Sequence, residues 1–135
     1  MLRSFAWRLS MLAVPILLSG CDRPPDFTDV QAKCESLVLS AIRSPSSYAL
    51  VQHSAYAYVG EDMVAAFNAA ERISFGDPAG ADRIKIYLDF DAQNGFGAVI
   101  RNAAACEYRR DPATGQLFRQ NANINRKTLW FSERN

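Results

Sequence analysis

The chain has 135 residues, with 15 Lys and Arg against 14 Asp and Glu, one His, 49% hydrophobic residues and a formal charge of +1. That is room for one domain whose apolar content fills a single core, with too little Gly and Pro for a wholly disordered chain. The balanced, scattered charge excludes the dense Lys/Arg footprint that nucleic-acid binding requires.

Residues 1–20 read as an export signal. Arg3 and Arg8 supply a positive start without acids, and residues 9–18 form an apolar core. That core is about half the ~20 residues a membrane-spanning helix needs, and Pro15 interrupts it, so removal is expected instead of a permanent span. It closes on Leu18-Ser19-Gly20-Cys21, which closely resembles the lipobox of bacterial lipoproteins. The resemblance implies that Cys21 receives a diacylglyceryl thioether, becomes the N-terminus after cleavage behind Gly20, and is N-acylated as well, with palmitate-type chains. The alternative is an ordinary secretory signal followed by an accidental cysteine. At ~0.8 kcal/mol per buried CH₂, two or three chains tether a protein durably. Asp22 resembles an inner-membrane retention signal, although Arg23 beside it leaves inner or outer membrane open. The expectation is a lipid-anchored protein of the cell envelope, facing the periplasm. Loss of residues 1–20 would remove two arginines and no acids, leaving 13 bases, 14 acids and a charge of −1.

Residues 21–26, with Pro24-Pro25, are expected to form a short extended linker behind the lipidated Cys, and residues 27–135 a single domain. Thr28 and Gln31 have capping-box spacing. Val30, Cys34, Leu37, Val38, Ala41 and Ile42 then recur at helical offsets, which predicts an amphipathic helix ending near Arg43, ahead of Pro45. Residues 46–59 suit a strand with a bulge near 52–54. Residues 61–73, alanine-rich with Met63, Phe67 and Ala70 at helical offsets, predict a second short helix, and residues 75–82 a loop.

The clearest strand is 83–91, with Ile84, Ile86, Leu88 and Phe90 on one face and Lys85, Tyr87, Asp89 and Asp91 on the other. Asn94-Gly95 predicts a tight hairpin into a strand over 97–109. In that strand Ala98, Ile100, Ala104 and Cys106 point inward, and Asn102 needs a partner or a bulge. A turn at 111–115 leads to a third strand at 116–124. In the polar tail, Leu129, Trp130 and Phe131 are expected to pack on the sheet. The pattern predicts an α+β domain, an N-terminal amphipathic helix on an antiparallel sheet of three to five strands with a second short helix.

With Cys21 assigned to lipid, Cys34 and Cys106 remain. Outside the cytoplasm two thiols in a small domain usually pair, and closing the loop between them is worth roughly 4 kcal/mol at most in the chain-entropy treatment. The two cysteines lack neighbouring His or Cys ligands and the lone His53 lies in a different element, so no metal or other cofactor is expected. Asp89, Asp91 and Asn94 offer alternating oxygens, but an EF-hand register starting at Asp89 would put Asn94 where Gly belongs and Ile100 where a bidentate Glu belongs. The two acids could equally be an acid–base pair, yet nothing in the sequence separates their pKa values. His53 has serines nearby but no nucleophile elbow, and there is neither a glycine-rich phosphate loop nor a C-x-x-C pair.

Tyr56, Tyr58 and Tyr87, with Lys85 and Arg101, can share the outer face of the sheet, where flat amphipathic rings make good protein contacts. The predicted second helix could instead cover that face. Pro45-Ser46-Ser47 after the helix and Asn94-Gly95-Phe96-Gly97 in the hairpin make the mature region similar to small uncharacterised Gram-negative envelope proteins, a resemblance that implies no activity. The expected function is non-catalytic: contact with another envelope protein, or envelope assembly. The alternative is a small periplasmic enzyme or ligand-binding protein whose site is built from residues distant in sequence.

Overall fold

A computed structural model of the protein describes residues 25–128. The apolar N-terminal run, Cys21 and the trio Leu129, Trp130 and Phe131 lie outside the described residues. One helix, α1 (Thr28–Ala41), precedes β1 (Ala49–Val59), β2 (Asp62–Asn68), β3 (Ile73–Phe75), β4 (Arg83–Gln93), β5 (Val99–Arg110), β6 (Leu117–Ile124) and the two-residue β7 (Lys127–Thr128). All seven strands join one antiparallel sheet in the order β3-β2-β1-β4-β5-β6-β7. The sheet is therefore wider than the expected three to five strands. The helix, starting at Thr28, is the first element among the described residues.

The central strand β4 shows why the sheet forms. Its apolar residues alternate without a slip, so Ile84, Ile86, Leu88, Phe90 and Ala92 are all buried on the inner face while the intervening residues point outward. Phe90, Ile86 and Leu88 are among the largest fully buried side chains of the core. Beside them the inner face carries small residues, Ala55 and Ala57 from β1, Ala65 from β2, Ala104 from β5 and Ala122 from β6. Val30, Cys34 and Val38 form the buried stripe of α1 and belong to the same core cluster. Cys34 and Cys106 form a disulfide with their Cα atoms 5.9 Å apart, as the spare cysteines led one to expect.

Local details differ from the sequence reading in instructive ways. Thr28 does not cap α1. Phe27 holds the N-cap position, the Asp26 carboxylate accepts the Thr28 N–H at 3.0 Å, and the Gln31 amide donates to Glu35 at 2.6 Å. The helix stops at Ala41, two residues early, because Ile42 is already extended ahead of the 3₁₀ turn Pro45–Ser47. The predicted second helix does not form. Its residues make β2, a turn and β3, because Ala65 and Phe67 pair with Ala57 and Ala55 and complete the sheet. Pairing outweighs the helix propensity of alanine here, which amounts to less than ~1 kcal/mol per residue. The bulge of β1 against β4 falls at Leu50/Gln52, ahead of the expected 52–54, and a second against β2 falls at Ala57/Tyr58.

The hairpin after β4 is longer than two residues. Asn94 N–H donates to Ala98 O at 2.9 Å, Gly97 N–H to Asn94 O at 3.1 Å, and Gly97 takes φ +83°, so Gly97 and not Gly95 supplies the left-handed conformation. Ala98 stays in the loop and β5 starts at Val99, with Ile100 on the inner face opposite Ala92, as expected, but 43% exposed near the end of the sheet. Asn102 finds its partners locally, donating to Ile100 O and accepting from Asn125 Nδ2 at 2.8 Å.

The disulfide generates the first prediction. Alkylation of the denatured, unreduced protein should leave Cys34 and Cys106 unmodified. Reduction should remove ~2–4 kcal/mol and lower the Tm by about 10 °C, measured by circular dichroism with and without reductant.

Candidate functional site

Register decides which polar and aromatic side chains meet. Tyr56 pairs with Lys85, Tyr58 with Arg83 and Ser54 with Tyr87, so the three tyrosines and Lys85 stand together on the face opposite α1. The rings of Tyr56 and Tyr87 meet edge to face, 5.8 Å apart at 81°, an arrangement suited to the aromatic quadrupole. Lys85 Nζ lies 5.9 Å from the centroid of the Tyr58 ring and 3.9 Å from the Glu107 carboxylate. Arg101 is on the same face but stands apart from this cluster, opposite Asp91 near the far end of the strands, and forms a two-pronged ion pair with it. That hydrogen bond holds the half-buried Asp91 carboxyl below its ordinary value. Asp89 accepts a hydrogen bond from the Gln52 amide at 2.6 Å.

Because residues 61–73 are strand and turn, no second helix lies over the tyrosines, and the outer face has no helix across it among the described residues. β2, β3 and β6 extend the face with Met63, Ile73, Phe75 and Phe118, of which Phe75 is 62% exposed. The sequence reading missed these four. The alternation Ile73-Ser74-Phe75 ahead of Gly76 was the available signal for β3, hidden by the helical offsets of Met63 and Phe67.

His53 lies on the other face. In unbroken alternation with the outward Tyr56 and Tyr58, His53 pairs with Leu88 and points to the helix side, its ring 5.3 Å from Phe67. There it lines an open cleft of about 380 Å³ with Asp26, Phe27, Gln31 and Phe67. Burial lowers the imidazole pKa and the Glu35 carboxylate partly opposes that shift. At Tyr48 burial, with the Glu35 carboxylate now adding to it, pushes the phenol up to about 12, and the hydroxyl makes no hydrogen bond. Among the described residues no three of His, Cys, Asp and Glu come together to hold a metal ion. Asp89 and Asp91 both stand on the outer face, each engaged by a different side chain.

The chain matches no protein-family model, no curated protein and no solved structure.

His53 yields a pH prediction. A lowered imidazole pKa means that the folded protein binds this proton less readily than the unfolded chain, so stability is full above the ordinary value of 6.5 and falls as pH drops below it. His53 is the only histidine. The Tm should therefore decline as the pH falls from about 6.5 toward 5, and the decline should be smaller in His53→Gln.

Proposed function

We propose that the protein is a non-catalytic, lipid-anchored envelope protein whose outer sheet face docks a protein partner in the periplasm. The lipobox resemblance at Leu18–Cys21 supports the anchor. The observation that carries the contact reading is the uncovered outer face, where Tyr56, Tyr58 and Tyr87 stand beside Phe75, Met63 and Lys85. Aromatic and Met side chains offer large contact area at low entropic cost, and a flat antiparallel sheet presents them together. A second reading, a small ligand-binding protein, draws on the open cleft beside His53 and Phe67.

Metabolic labelling with an alkyne fatty acid tests the anchor. Label should appear on the parent protein and vanish in Cys21→Ser, which should also be released from the membrane fraction. In-cell crosslinking tests the face. Tyr56→Ala with Tyr87→Ala should lose the principal protein crosslinks while His53→Ala keeps them. The reverse pattern would move the function to the cleft.

A further inference from the structure

We propose that the partner of the outer face is a second copy of this chain, docked face to face about a two-fold axis that crosses the strands at the level of Tyr87. This rests on the contact reading above and supplies the identity of the partner.

The order of charges along the central strand carries the inference. On the outer face β4 presents, in sequence, Arg83, Lys85, Tyr87, Asp89 and Asp91, two bases, an aromatic residue and two acids. A two-fold rotation about an axis across the strands at Tyr87 reverses the strand direction and sets β4 against its own copy. Arg83 then lies over the partner's Asp91, Lys85 over the partner's Asp89, and Tyr87 beside the partner's Tyr87. The flanking positions agree. Level with Tyr87 the face is low, with Ser54 on β1 and Ala105 on β5, which leaves space for two tyrosine rings at the axis. β5 adds Arg109 and Glu107 at the basic end and Arg101 at the acidic end. The strand residues of this face thus carry three bases and one acid at one end against two acids and one base at the other, so unlike ends meet twice. Arg101, which would approach the partner's Arg109, is already neutralised by Asp91.

Area is sufficient as well. Seven strands ~4.8 Å apart and central strands rising ~3.3 Å per residue give a face of roughly 30 by 30 Å, about the ~800 Å² per partner of a stable protein interface. Face-to-face packing of two twisted antiparallel sheets at a small angle is a standard sandwich arrangement, and here it would leave both α1 helices on the outside.

The test is sedimentation equilibrium on the full mature chain carrying Cys21→Ser, so that acyl chains do not drive association. The parent should be a dimer at ~100 µM, above the micromolar range that interfaces of this size reach. Arg83→Glu with Lys85→Glu, and separately Asp89→Lys with Asp91→Lys, should each weaken self-association by about a hundredfold or more, because like charges then face one another. An equimolar mixture of the two variants should recover the dimer, since every facing pair along β4 is again of opposite sign. Recovery on mixing cannot come from misfolded protein, and thermal melts of each variant check the fold directly. A monomeric parent, or charge variants that remain dimeric, would overturn the proposal. If the parent is monomeric while the Tyr56 and Tyr87 substitutions still abolish crosslinks in cells, the face binds a different protein and only the self-docking falls.

Discussion

The Cys34–Cys106 bond joins the one helix among the described residues to the sheet, and the two-sided character of the domain follows from it. Cys34 lies between Val30 and Val38 on the stripe of α1, and Cys106 stands beside Ile86 of the central strand. A helix of 14 residues is about 21 Å long, too short to cover a seven-stranded sheet, so its position decides which inner residues are dry. The core cluster it shares with the sheet includes the long row of β4 and the alanines of the neighbouring strands, whose small size lets helix and sheet approach closely.

Covering one face leaves the other to the environment. Antiparallel sheets tolerate this, since outward positions are normally polar. Here the polar pattern holds along β4, where Asp91 is paired with Arg101 and Asp89 with Gln52, but it gives way toward β1, β2 and β3 to Tyr56, Tyr58, Met63, Ile73 and Phe75. The aromatic residues interlock instead of standing singly, as the edge-on contact of Tyr56 with Tyr87 shows. A patch of this composition is unusual on an isolated domain, and it is the feature a docking partner would use.

The cleft at His53 differs in kind. It lies where the start of α1 approaches β1 and β2, and its histidine meets an aromatic ring without a nucleophile hydrogen-bonded to it. Its depressed pKa comes first from burial, with Glu35 opposing, so it reports how the helix start packs on the sheet.

Much of this was legible in the sequence. The alternation of β4, the apolar stripe of α1 and the pairing of two spare cysteines were each readable because they depend on one period or one covalent constraint. The tyrosines were placed together on one face by the same alternation. What failed was wherever two periods competed: Asp62–Asn68 has alanine, Met63 and Phe67 at helical spacing, and only the presence of β1 and β3 on either side makes the extended form better. The exact position of the bulge in β1 was equally out of reach, because the slip at Leu50/Gln52, ahead of residues 52–54, exchanges inside for outside and leaves little mark in the local sequence. The sequence alone determined which residues could be core and which strand held the centre. Tertiary structure decided the width of the sheet and the exposure of its outer face, since both depend on long-range pairing that no local pattern records.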